Sequence, residues 1–177
     1  MRDEQRSRVY AAEGMVRRQL HLAAEGARSI RVAGSVLTVP PEQVFRDLAA
    51  VRRYAGELAT AAPVAARWPQ AAAVGFRSRR GAQRAHYDRS THVIALPLAE
   101  RGGSWALREL VVLHELTHAV TAGADPPHGP DFAAAYLELV EIAAGAEAAF
   151  LLRHAFHHLG VRAATPAGAA GAAGAQR

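Results

Sequence analysis

At 177 residues, half of them hydrophobic, the chain is long enough for one domain with a sizeable core. The formal charge is +5, and every one of the 21 basic residues is arginine. Cysteine is absent, which removes disulfides and thiolate metal sites and leaves His, Asp and Glu as the strong ligands. No apolar run reaches the length of a membrane span, and the opening Met1-Arg2-Asp3-Glu4-Gln5-Arg6 has no hydrophobic signal core, so no membrane association and a cytoplasmic location are expected.

Residues 3 to about 25 carry apolar positions at helical spacing (Val9, Met15 or Val16, Leu20, Leu22) and predict an amphipathic helix with a solvated arginine face. Residues 29–39 are β-branched around Gly34, as in a strand or two short pieces about a turn. Pro40-Pro41-Glu42 opens a second helix, with Pro41 in its first turn and Phe45, Leu48, Val51 or Arg52, Ala55 and Leu58 on its buried side. Pro63 and Trp68-Pro69 predict a connecting loop. Three short strands follow, over 73–77, 85–88 and 91–96. Spacings this short predict antiparallel pairing throughout.

Arg101-Gly102-Gly103-Ser104 ends the sheet, and Ser104 is suited to cap a long helix from Trp105 to about Ala122, with Gly123 in the C′ position. Another helix starts at Pro130 or Asp131 and runs to about Ala144, and a last one covers 147–159. The expected organisation is a single domain over 1–162 and a disordered Ala/Gly-rich tail over 163–177. The arginines are spread along the whole chain, densest at Arg77, Arg79, Arg80, Arg84 and Arg89. That spread favours an Arg- and Ala-rich composition over a dedicated polyanion surface, so nucleic acid is a partner without support from the charge pattern.

The chemistry is concentrated in His114-Glu115-Leu116-Thr117-His118, an HExxH match. On a helix, residues four apart stack on one face, so His114 and His118 can hold one ion through neutral imidazole nitrogens, with Glu115 beside them as a base for water. The surrounding Leu110, Val111, Val112, Leu113, Leu116, Ala119 and Val120 mark a core helix, in which unsatisfied polar groups are costly. Catalytic zinc takes three protein ligands and keeps one position open. The third ligand is sought downstream. His128 sits in the rigid Asp125-Pro126-Pro127-His128-Gly129-Pro130 stretch and is preferred. Glu138 is the alternative, at the second-helix spacing of thermolysin-like enzymes, and Asp125 is a weaker option. Tyr136 is a candidate oxyanion partner or a core tyrosine. Asp131 is a candidate for orienting His128 or a plain N-cap. His154, His157 and His158 read as an exposed helix end, and His86 and His92 lie in strands that border the cleft.

The helix followed by His128-Gly129-Pro130-Asp131-Phe132 resembles the SprT-like branch of the zincin peptidases. The pattern departs from the metzincins, whose downstream Gly and His are here Thr121 and Ala124, and no Met follows the motif. Over almost its whole length up to Arg162 the chain also resembles a family of small actinobacterial proteins described as metallohydrolases. The features shared with that family are the opening Met1 to Tyr10, Ala33-Gly34-Ser35 with Leu37 to Glu42, and Trp105 to His118. These resemblances imply a zincin-like α+β fold, a small antiparallel sheet packed against helices that include a central HExxH helix. They imply Zn²⁺ on His114, His118 and His128, with Glu115 as the catalytic base. The expected function is a zinc-dependent hydrolase, foremost a metallopeptidase acting on a peptide or protein. The alternatives are a zinc hydrolase of a non-peptide substrate and a non-catalytic binding module stabilised by its metal.

Overall fold

The first amphipathic stripe does form a helix, α1 (Arg6–Ala24), and its buried side reads Val9, Ala12, Glu13, Val16, Leu20 and Ala23. Met15 and Leu22 face out. A glutamate in an otherwise apolar stripe signals that something beneath it is polar. The computed structural model describes residues 2–26, 29–32, 34–81, 84–98 and 103–165. Within them, the β-branched stretch after α1 is an antiparallel hairpin of β1 (Ser29–Val32) and β2 (Ser35–Thr38). Gly34 turns it at φ +83°, a conformation that favours glycine.

The second helix does not open at Pro41. Residues 40–46 run without helix, and α2 (Leu48–Thr60) starts at Asp47, whose Oδ1 accepts the Ala50 amide at 2.8 Å. The reason lies far along the chain. Val44 bridges Arg108, the Phe45 amide donates to the Leu107 carbonyl, and Glu42 accepts the Leu110 amide, so this segment is spent on capping a later helix. The loop expected at Pro63 is also helical: α3 (Ala62–Arg67) takes Pro63 into its first turn, and a 3-10 helix (Pro69–Ala73) follows.

The strands β3 (Gly75–Arg79), β4 (His86–Asp88) and β5 (Val93–Pro97) form one sheet in the order β3-β5-β4. The all-antiparallel expectation holds for β4 with β5 and fails for β3, which pairs with β5 in parallel. Residues 80–92, with β4 inside them, make up the dozen or so residues that a parallel crossover needs. β5 is therefore central, and β3 and β4 are the two edges of the sheet.

A 3-10 helix (Gly103–Leu107) leads into α4 (Glu109–Val120), shorter at both ends than the expected Trp105–Ala122. Arg108, not Ser104, is the N-cap, held extended by its pairing with Val44, and with Thr121 as the C-cap the C′ position falls on Ala122 rather than Gly123. Every residue from Glu109 to Thr117 is buried, so α4 is the central rod of the molecule. The helices α5 (Pro130–Ala144) and α6 (Ala146–Leu159) complete a mixed α+β structure of six α-helices and two small sheets among the described residues. α6 packs on both α1 and α5. The Ala164 amide donates to the Pro130 carbonyl at 2.9 Å, while 166–177 lie outside the described residues, as do Arg101 and Gly102. No helix among the described residues is long and apolar enough to cross a membrane.

Candidate metal centre

Four residues per step on α4 place His114 and His118 on the same side of the rod, ring centroids 5.0 Å apart. His128 reaches them from the turn before α5. That turn closes through the Gly129 amide on the Pro126 carbonyl at 2.8 Å, and a Cβ at position 129 would lie 2.9 Å from the same oxygen. Glycine is thus needed where His128 is presented. The three imidazoles each offer a nitrogen, and these atoms all lie within 4.8 Å of one another. His114 and His128 are buried and His118 is half-buried. Nε2 of His128 and Nε2 of His114 are 3.3 Å apart.

The other ring nitrogens are engaged by carboxylates from the start of the chain. Nδ1 of His128 lies 2.7 Å from Oδ2 of Asp3, and Nδ1 of His114 lies 2.9 Å from Oε2 of Glu13, the buried glutamate of α1. The second contact is close but poorly aligned, so neither atom has a good hydrogen-bond partner. A carboxylate facing Nδ1 selects the tautomer that carries its proton there and leaves the Nε2 lone pair bare. Two bare lone pairs 3.3 Å apart repel unless a cation or a proton lies between them. Tyr10 of α1 stacks on His114 at 4.9 Å, and Phe132 of α5 closes the other side with its ring 4.6 Å from that of His118.

Electrostatics separate the members. Burial, reinforced by His114 and His128, pushes His118 down to about 2, so it is neutral at physiological pH. Burial also lowers His128, against the opposing pull of Asp3. For His114 burial works downward too, but Glu13, with help from Glu115, outweighs it and raises the imidazole. Glu115 is pushed up to about 7 by burial, with Glu13 adding to the rise and His114 and the main-chain amide of Tyr87 opposing it. Its Oε2 is buried without a hydrogen-bond partner.

The three imidazoles could hold a metal ion. Zinc with nitrogen ligands at about 2.0–2.1 Å in tetrahedral array sets the nitrogens about 3.3–3.4 Å apart, the observed His114–His128 separation. The orphaned buried atoms around the cluster point to the same need for a cation.

The remaining candidates fall elsewhere. Glu138 is half-exposed on α5 and pairs with Arg67 at 3.8 Å, away from the imidazoles. Asp125 is exposed, and Asp131, in the first turn of α5, is exposed beside the groove that also holds Arg67 and Glu138. Asp3, not Asp131, holds His128. Tyr136 is fully buried, and its hydroxyl donates to the Leu110 carbonyl at 3.0 Å, a core role that leaves no free donor for an oxyanion. His154, His157 and His158 lie exposed on α6. His92, at φ +55°, bonds the Tyr87 hydroxyl, and His86 contacts Arg79 at the cleft wall.

Asp3, Tyr10 and Glu13 are the site residues that sequence reasoning missed. The signal for Glu13 was present, as a carboxylate inside the apolar stripe of α1. Asp3 carried none, because its partner lies 125 positions away.

No family model matches the chain, and neither the curated proteins nor the solved structures contain a detectable relative.

Proposed function

We propose that this protein is a zinc-dependent hydrolase of zincin-like architecture, SprT-like in its ligand order, and foremost a metallopeptidase. The observation that carries the reading is the convergence of His114, His118 and His128 on one point, with the unpartnered Oε2 of Glu115 next to them. His114, His118 and His128 would hold the ion. When bound, zinc supplies Lewis acidity toward water and a carbonyl oxygen. Glu13 and Asp3 orient the ligand rings and increase their basicity. Glu115 takes a proton from water and returns it to the leaving amine. Burial holds its pKa up in the metal-free fold, and its unsatisfied Oε2 is left for both halves of that exchange.

A cleft of about 560 Å³ opens beside the cluster, lined among others by Glu115, His118, His128 and β4. The edge position of β4 suits main-chain pairing with an extended peptide. A metal that served only to staple the fold would need no buried carboxylate oxygen left unsatisfied beside it, so Oε2 of Glu115 favours the hydrolytic reading over the binding-module one.

The test is metal analysis with activity. The purified protein carries about one zinc per chain, and Glu115→Gln keeps the metal while losing peptide hydrolysis by roughly 10²–10⁴-fold. A protein that takes up no zinc, or a Gln variant as active as the parent, overturns the proposal.

A further inference from the structure

The wall of the cleft beside the imidazoles carries the arginines Arg6, Arg79, Arg84 and Arg89, against which the acidic lining residues are Asp3 and Glu115. Asp3 is bonded to His128, and Glu115 is buried on the ligand helix itself. A second cavity of about 400 Å³ shares Arg6, Arg84 and Glu115 with the first, so the cationic wall is continuous across both. Two of the guanidiniums are fixed by neutral groups: Arg79 donates to the Arg84 carbonyl at 3.1 Å and meets Nδ1 of His86 at 2.9 Å, and Arg89 donates to the Ala124 carbonyl at 3.3 Å. These bonds position the charge without neutralising it.

We infer that this cleft takes an acidic peptide segment, whose side-chain carboxylates are met by Arg6, Arg79, Arg84 and Arg89 while its main chain lies along β4. Arginine is the residue suited to bidentate capture of carboxylates. β4 is a sheet edge, with one side unpaired by any other strand among the described residues. A single nucleic-acid strand needs free aromatic faces for its bases, and here the Tyr10 ring is stacked on His114 and overlain by Arg6. The cleft has the volume of a small-ligand site, too little for a duplex.

The inference rests on the hydrolase reading, and one experiment separates the two. Zinc-loaded Glu115→Gln protein is titrated, by fluorescence anisotropy, with short labelled peptides of equal length that are Asp/Glu-rich, neutral or Arg-rich, and with a labelled single-stranded oligonucleotide. The acidic peptide binds at least about tenfold tighter than the neutral one. Arg84→Gln with Arg89→Gln erases that preference without changing zinc content. Equal affinity for all peptides, a preference that survives the double change, or tighter binding of the oligonucleotide overturns the inference. Wild-type protein that holds zinc and cleaves neutral peptides as fast as acidic ones sinks this inference and leaves the hydrolase standing, whereas failure to take up zinc removes the hydrolase and this inference with it.

Discussion

Buried carboxylates meet the rod α4 at two levels, and the two groups are treated differently. At the N-terminal end, Glu42 meets the Arg108 guanidinium at 2.6 Å and also accepts the Leu110 amide, while Glu109 accepts from the Tyr54 hydroxyl at 2.7 Å and from the Gln43 amide. Each oxygen has a partner. One turn further on, Glu13, His114 and Glu115 are as deeply buried, yet Oε2 of Glu13, Nδ1 of His114 and Oε2 of Glu115 have no good hydrogen bond. Burial alone does not distinguish a functional group from a structural one. Satisfaction does: a closed network stabilises a helix start, and an open one waits for a ligand.

The comparison can be broken at its structural end first. Glu42→Ala removes an ion pair and a helix cap together, and should lower stability by about 3 kcal/mol whether or not zinc is present, as read by thermal or denaturant unfolding. A variant as stable as the parent would mean that the first turn of α4 does not depend on this network.

At the functional end the sign reverses. Glu115 ionises near 7 in the metal-free fold, against 4.5 for an ordinary glutamate carboxyl. Below about pH 4.5 it is protonated both folded and unfolded and contributes no pH dependence. Between there and pH 7 the unfolded chain loses this proton and the fold does not, so stability falls as pH rises and the full cost stands above 7. Metal-free Glu115→Gln should therefore be more stable than the parent by about 3 kcal/mol at pH 8 and no more stable at pH 4. Unfolding curves in chelator at the two pH values check this. A Gln variant that is less stable at pH 8 contradicts it.

A smaller effect sharpens the same contrast. Glu13→Gln keeps the shape of the side chain but loses the charge beside His114, and should weaken zinc affinity by roughly 10–100-fold in a competition titration with a chromogenic chelator. The smallest effect is expected from Glu138→Ala. That side chain is half-exposed in a loose pair with Arg67, so stability should move by under about 0.5 kcal/mol and zinc affinity not at all. Loss of the metal in that variant would reopen the choice of third ligand.

What the sequence made legible was whatever repeats locally. The four-residue spacing of His114 and His118, the helical stripe of α1, and the extents of α5 and α6 all follow from periodicity within one element. What it hid depends on partners distant in the chain. Pro41 has the composition of a helix start, but the segment from Glu42 to Phe45 is claimed by α4 across more than sixty residues. The parallel pairing of β3 with β5 depends on where β4 goes, which no single strand records. The zincin resemblance pointed to the imidazoles and to Glu115, and the carboxylates that hold the rings, Asp3 and Glu13, come from the opposite end of the chain.

Gln5 joins the two ends of the chain. Its amide nitrogen donates to the main-chain carbonyls of His128 and Arg162, and its carbonyl oxygen accepts the Arg162 amide at 2.6 Å. This clasp draws the segment carrying Asp3, the turn carrying His128 and the end of the last helix into one knot. Loss of the clasp would free the Asp3 segment and the His128 turn together, so a change at Arg162 would be felt at the imidazole cluster.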